Sequence, residues 1–284
     1  MNARLFVGNA SVDATDAALA EGRGFAYGDG LFETMRSVDG AIPWWPRHRA
    51  RLHASAARLG LALPDAALLD SEVQAFAVAH PDAVVKLILT RGPGGRGYAP
   101  PAGATPVWAL LAAPLPPDPR PGGLALRWCD LRLAQQPALA GLKHCNRLEQ
   151  VLARAEWSDP SIDEGLMRDA DGHVVCATAA NVLAFREDRW CTPPVDVCGV
   201  AGVCRGWAVD ALQAVVRPLS ADAVEGADAL VLCNAVRGIL PVARLGDRIW
   251  SPHPAVADAR RRLAAAHPAF AMRQDDPDFP EGVP

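Results

Sequence analysis

Between residues 113 and 123 the chain reads APLPPDPRPGG, and this stretch limits the fold more than any other. Proline lacks the backbone donor that a helix interior or a central strand requires. With five prolines and two glycines in eleven residues, neither kind of element can run through the segment, so it reads as a linker between two units. The expected division is a small N-terminal α/β domain over residues 1–112, the linker over 113–123, and a larger C-terminal α/β domain over 124–284. A chain of 284 residues gives both domains enough apolar material for a core.

Periodicity fills in the two halves. Before the linker, PRHRARLHASAARLGL (46–61) has helical spacing of leucine and alanine, while VVKLILTRG (84–92) and PVWALLAAP (106–114) are apolar runs bounded by Gly and Pro, as strands are. After it, LALRWCD (124–130) reads as a strand and LEQVLARAEW (148–157) as a helix. EGLMRDADGHVVCATAANVLAF (164–185) reads as strand, Asp-Gly turn, strand. VCRGWAVDALQAVV (203–216) is expected to be helical and ADALVLCNA (227–235) a strand. The proline-rich, acidic end MRQDDPDFPEGVP is expected to fray.

Charge and cysteine content narrow the function. A net charge of −4 supplies no basic field for nucleic acid or an anionic membrane surface, and 50% hydrophobic residues with 21% charged fit a soluble globular protein. The N-terminus shows no charged segment leading into an apolar run, and no stretch approaches the roughly 18 apolar residues of a membrane span. A cytoplasmic protein is expected. Seven cysteines, an odd number without a C-x-x-C pair, suggest neither a disulfide framework nor a metal site.

Lysine is the informative residue type. Lys86 and Lys143 stand against 26 arginines. Arginine stays protonated in proteins, whereas a lysine amine can lose its proton and act as nucleophile or base, which makes Lys143, in GLKHCNRLEQ, a candidate to form a Schiff base. Lys86 falls out of phase with Val85 and Leu87 and is expected to face solvent on its strand. Two other segments suit anions. GVAGVCRG (199–206) puts glycines ahead of a helical pattern, where free amides can meet a phosphate. RGPGGRGY (91–98) places arginines and a tyrosine on a glycine-rich loop after a strand, as carboxylate recognition would use. In HRARL (48–52), His48 and Arg51 are one helical turn apart. No Walker sequence, dinucleotide fingerprint, serine-hydrolase elbow or zinc-peptidase motif occurs.

In order along the chain, RGFAYGDGLFETMR, HRARL, GLKHCNRLEQVLARAEW, GHVVCATAANVLAF, GVAGVCRG and LCNAVRGILPV resemble the motifs of the class IV pyridoxal-phosphate enzymes, which include branched-chain and D-amino acid aminotransferases and 4-amino-4-deoxychorismate lyases. K-H-x-N-R-L-E-Q-V-L and G-G-R-G-Y with Tyr98 are most similar to the lyase branch. The resemblance implies a two-domain α/β fold of the D-amino acid aminotransferase type, a homodimer, and pyridoxal 5'-phosphate as cofactor. It implies conversion of 4-amino-4-deoxychorismate to 4-aminobenzoate and pyruvate. Lys143 would bear the cofactor and serve as base. Arg51 would bind its phosphate together with backbone amides near Val203 and Cys204, with Asn234 or Ala235 close by, although Asn234 could equally be a turn residue. Tyr98, Arg91 and Arg96 would be candidates for the substrate's carboxylates.

One position departs from the family. Members usually carry a glutamate where Cys176 stands, to keep the cofactor's pyridine nitrogen protonated. A thiol is a weak acceptor, and the only acids seen nearby in the sequence, Asp169 and Asp171, fall in the turn. The departure weakens an aminotransferase reading more than a lyase reading, because forming an aromatic product drives the lyase reaction. An amino acid aminotransferase and a non-catalytic cofactor-binding protein are the alternatives.

Overall fold

A computed structural model describes residues 3–12, 22–95 and 97–271 of the chain. Contacts divide it into two units, Met1–Leu115 with Leu142–Asn146, and Pro116–Gly141 with Arg147–Pro284. The first break thus falls inside the proline-rich segment. The second unit is interrupted by the five residues 142–146, which belong to the first. The C-terminal segment from Met272 onward lies outside the described residues.

The first unit is built from β1 (Ala3–Val7), β2 (Ala10–Val12), α1 (Arg23–Tyr27), β3 (Gly30–Ser37), α2 (Trp45–Leu59), α3 (Ala66–Ala79), β4 (Ala83–Thr90) and β5 (Val107–Ala113). Its sheet is antiparallel, in the order β2-β1-β5-β4-β3. The period of two in β4 decides its orientation: Ala83, Val85, Leu87 and Leu89 are buried, and Lys86 faces out as expected. α2 packs on β3. It starts with Pro46 in its first turn, where a missing N–H costs nothing, and stops at Gly60 with φ 59°. α3 begins where the Asp65 carboxylate accepts the Leu68 amide at 2.9 Å. Trp108 is 1% exposed, stacks on Phe6 with centroids 4.0 Å apart, and donates its indole N–H to Gly8 O at 2.9 Å.

The second unit comprises β6 (Leu124–Leu133), α4 (Leu148–Arg154), β7 (Glu164–Asp169), β8 (Val174–Ala177), β9 (Asn181–Arg186), β10 (Arg189–Thr192), α5 (Val203–Ala211), β11 (Val215–Val216), α6 (Ala221–Glu225), β12 (Ala229–Asn234), β13 (Gly238–Leu245), β14 (Arg248–Ile249) and α7 (Pro254–Ala266). The mixed sheet runs β11-β10-β9-β12-β13-β6-β7-β8, with β14 on β13. Its core includes Leu126, Leu166, Val182, Leu230, Leu232 and Leu240.

Two sequence expectations need correction. The strand read through 174–185 is two strands. Ala177 donates its amide to Ala180 O at 2.8 Å, so the chain turns, β8 pairs with β7, and β9 pairs with β10 and β12. The helix read through 203–216 ends at Ala211. Gln213 takes φ 53°, and Val215–Val216 pairs in parallel with Cys191 and Thr192. β-branched valines at the end of an alanine-rich run favour that edge pairing.

The tryptophan of the first unit tests this packing. Trp108→Ala should lower unfolding stability by about 3–5 kcal/mol, and Trp108→Phe should cost less but still strand the Gly8 carbonyl. Denaturant titration reads both, and an alanine variant as stable as the parent would contradict the packing described.

Candidate active site

Lys143 is held by strand β3 of its own unit. One edge of β3 pairs with β4 from Gly30↔Thr90 to Ser37↔Ala83. Along the other edge, Phe32 donates its amide to Lys143 O at 2.9 Å, and Cys145 donates its amide to Gly30 O at 2.9 Å. The lysine backbone is therefore fixed as if it were one more strand. Its ammonium stands 4.3 Å from the centroid of the Phe32 ring, a cation–π distance.

One residue further along β3, Glu33 points the other way, into the core, where it is 1% exposed. Arg51 on α2 donates Nε to Glu33 Oε1 at 2.9 Å and Nη2 to Oε2, a bidentate fork. His48, one turn earlier, lies with Nδ1 2.6 Å from Glu33 Oε2. An ionised carboxylate only accepts, so Nδ1 carries the proton of that bond. Burial alone would push the Glu33 carboxyl up, but the charge of Arg51 and the bonds from His48 and Arg51 outweigh it and leave it below its ordinary value. Burial pushes His48 down, against the pull of Glu33 and with the help of Arg51 and Lys143. The imidazole is thus neutral beside a neutralised Arg–Glu pair. Sequence reading singled out His48 and Arg51 but missed Glu33. The available signal was an acid at a position whose alternation partners, Leu31 and Met35, are core residues.

The glycine-rich loop is organised by a second, partly buried carboxylate. Arg91 donates Nε and Nη2 to Asp29 at 2.8 and 3.1 Å, Nη1 to Gly60 O at 2.6 Å and Nη2 to Leu59 O at 2.8 Å. Arg23 donates Nε to the same Asp29 at 2.9 Å, and its other nitrogens to Gly97 O and Tyr98 O, both at 2.9 Å. Burial raises the Asp29 carboxyl, yet the bonds and charges of the two arginines hold it below its ordinary value. Four of the five N–H groups of Arg91 are taken up in this way, so in this geometry it anchors the loop. Gly92 must be glycine: φ is 84°, and a Cβ would lie 2.0 Å from Thr105 O. Tyr98 is 83% exposed, its ring 5.4 Å from that of Tyr27. Arg96 lies outside the described residues.

In the second unit, α5 begins immediately after Gly202, so the amides of Val203 and Cys204 belong to a first turn that lacks intrahelical acceptors. A Cβ on Gly202 would come 1.9 Å from Asn181 Oδ1, and Asn181 Nδ2 donates to Val200 O at 2.9 Å. The helix start is thus backed by an asparagine that only glycine admits. α5 packs on β12, with Cys204 of the helix and Cys233 of the strand both buried. Asn234 closes the following turn: its Oδ1 accepts the amides of Val236 and Arg237 at 3.0 and 2.8 Å, with Ala235 between strand and turn.

Cys176 packs with Cys129, Cys198, Met167 and Trp157. Burial pushes its thiol up to about 12, so it is neutral at ordinary pH. Asp169 and Asp171 do lie in the β7–β8 turn, held by Gln135 Nε2 at 3.1 and 2.8 Å, and with His173 they bring three potential ligand atoms within 4.8 Å of one another. Asp169 Oδ1 is already accepting the amides of Asp171 and His173. The sequence reading overlooked Glu164. Its carboxylate accepts the Thr178 hydroxyl, the Gly165 amide at 2.9 Å and the Ala179 amide at 3.3 Å, and burial raises it above its ordinary value in spite of these bonds. The split between β8 and β9 creates this site, which is why continuous strand reading could not find it.

The Glu33 cluster has a pH signature. Both Glu33 and His48 titrate lower in the folded chain than unfolded, so each contributes stability that is complete above its ordinary value, 6.5 for His48 and 4.5 for Glu33, and is lost as pH falls below it. Unfolding stability should decline as pH is lowered from 6.5. Glu33→Gln should cost on the order of 3–5 kcal/mol at neutral pH by leaving the arginine uncompensated. Denaturant titrations across pH measure both; a flat profile from pH 7 to 4 would contradict the assignment.

Comparison with known proteins identifies the family. The amino-transferase class IV family model matches residues 30–245, more than half of the chain. An aminodeoxychorismate lyase from Vibrio harveyi is 32% identical over 229 residues, covering 78% of this chain and 84% of the relative. A D-alanine aminotransferase from Bacillus licheniformis is 26% identical over 269 residues, covering 88% and 91%. Among solved structures, 4-amino-4-deoxychorismate lyase from Pseudomonas aeruginosa superposes with a TM-score of 0.86 at 40% identity, covering 92% of this chain and 98% of that one. The chain belongs to the aminotransferase class IV family, a family of pyridoxal-phosphate-dependent enzymes.

Proposed function

We propose that this protein is a pyridoxal-phosphate-dependent lyase that converts 4-amino-4-deoxychorismate to 4-aminobenzoate and pyruvate, a step toward folate. The reading is carried by the 40% identity to the Pseudomonas lyase over 92% of the chain. Cys176 supports it over the aminotransferase alternative. A neutral thiol cannot hold a proton on the cofactor's ring nitrogen as a carboxylate does.

The residues present fit the cofactor. Arg51 is a guanidinium oriented by its fork to Glu33, and Gly202, packed against Asn181, opens a helix whose first amides lack intrahelical acceptors. Arg51 with the amides of Val203 and Cys204 would hold the phosphate, Asn234 and Ala235 would line the same end, and Cys176 would face the ring. When bound, the cofactor supplies an electron-withdrawing ring that acidifies the C–H next to the substrate's nitrogen. Lys143 Nζ would hold the cofactor by its aldehyde group and would take the proton from the substrate's ring carbon bearing nitrogen. The electron pair of the broken C–H bond becomes part of the aromatic ring as the neighbouring C–O bond breaks. Enolpyruvate leaves with the oxygen and tautomerises to pyruvate. Tyr98, Arg91 and Arg96 are the sequence's candidates for the substrate carboxylates; Tyr98 is exposed and Arg91 buried.

The same reading takes the protein as a cytoplasmic homodimer. Leu148, Val151 and Leu152 leave an apolar face of α4 exposed, which supports association with a second copy. Among the described residues no helix is long and apolar enough to cross a membrane.

Pyruvate release from 4-amino-4-deoxychorismate tests the proposal. The purified protein should turn it over, and Cys176→Ala should remain within about tenfold of the parent, roughly 1.4 kcal/mol of barrier. Amino acid plus keto acid turnover without pyruvate release would favour the aminotransferase, and neither activity would favour a binding protein.

A further inference from the structure

Strand β6 carries a bulge, and the bulge decides which charges meet. Trp128 pairs with Leu166 of β7 and Arg132 pairs with Arg168, so β6 advances four residues where β7 advances two. A regular ladder would set Asp130 opposite Arg168, and opposite charges on neighbouring strands stabilise a sheet. The bulge sets Arg132 there instead, and like charges directly opposite repel. The fold holds this register in place. Glu156 accepts the amides of Asp130 and Leu131, both within the bulge, at 2.8 and 2.9 Å. Asp130 is drawn off to Arg127, 3.3 Å away.

The two arginines are left without an acceptor. Among the described residues neither donates a hydrogen bond or forms an ion pair, and Arg168 Nε is buried with no partner. A buried donor left unsatisfied costs free energy that a ligand oxygen would recover. The Arg168 guanidinium lies 4.8 Å from the centroid of the Trp128 ring, a cation–π contact that restrains it. That ring is itself held, because Trp128 Nε1 donates to Glu225 Oε1 at 2.8 Å. Burial, and after it the charge of Arg132, lower the Arg168 guanidinium from its ordinary value; Asp130 and Glu225 act the other way, but each is engaged elsewhere.

Paired residues of neighbouring strands point to the same face, with their backbones about 5 Å apart. Two guanidinium forks at that spacing suit an oxyanion with two negative charges and several oxygens to share between them. A single carboxylate would satisfy one fork and leave the other charge uncompensated. We propose that Arg132 and Arg168 form a binding site for a phosphate dianion, either the free ion or the head of a phosphate monoester. The site belongs to the second unit alone. It shares no residue with those assigned above to cofactor or substrate.

The test uses the protein loaded with pyridoxal phosphate, so that the cofactor's own phosphate site is filled. Inorganic phosphate and phenyl phosphate are titrated into wild type, Arg132→Met, Arg168→Met and Arg168→Lys at constant ionic strength, and binding is followed by calorimetry. Wild type should bind one equivalent per chain. Each methionine variant should weaken binding by about 10- to 100-fold, the scale of a charge-assisted hydrogen bond, and Arg168→Lys should keep part of the affinity as a point charge. Tighter phenyl phosphate names a monoester as the source, and tighter inorganic phosphate names the free ion. Denaturant titration without phosphate should show the methionine variants at least as stable as wild type, because each relieves the repulsion. Added phosphate should then stabilise wild type more than either variant. No saturable binding by wild type, or binding that either methionine variant leaves unchanged, would overturn the site. So would a loss of stability in both methionine variants without phosphate, which would make the arginines structural.

Discussion

The first unit depends on the pairing of β3 along both of its edges. Eight residues pair with β4, and the far edge takes the backbone of Lys143 and Cys145. The alternation of side chains then does two things within two adjacent residues. Phe32 goes outward, where it underlies the lysine ammonium, and Glu33 goes inward, where it neutralises Arg51. A slip of one residue in this register would exchange the two, burying the phenyl platform and removing the arginine's counter-charge.

The two kinds of cation divide the work. The arginines that matter here are forks locked by carboxylates: Arg51 by the buried Glu33, Arg23 and Arg91 by the partly buried Asp29. These pairs set geometry at little net charge. The lysines stand over Phe32 on the outward face, and an amine there retains the chemistry that arginine lacks. The second unit carries a different feature, the amides that start α5 without intrahelical acceptors, with Gly202 packed against Asn181.

How much of this was legible in the sequence follows from the range of the interactions. β4, β5, α2 and the β7–β8 hairpin are local, carried by periodicity and turn residues, and the sequence reading placed them. Lys143, Arg51 and the α5 start were legible as candidates because their residue types are chemically distinctive. Glu33, Asp29 and Glu164 were not, because an acid in a motif looks solvated until the fold shows which cations or amides surround it. Arg91 shows the converse. A fork on a glycine-rich loop suggested substrate recognition, and only the fold reveals that its donors are taken up by the distant Asp29, Leu59 and Gly60. The short strand β11 was missed because Val215 and Val216 extend an alanine-rich helical pattern, and their pairing with β10 is a long-range contact.

The most direct measurement is the identity of the cofactor-bearing residue. The protein loaded with pyridoxal phosphate should absorb visible light, and after borohydride reduction and proteolysis the label should be found on the peptide containing Lys143. A label on Lys86, the other lysine over Phe32, would contradict the account, and so would a protein that acquires no label at all.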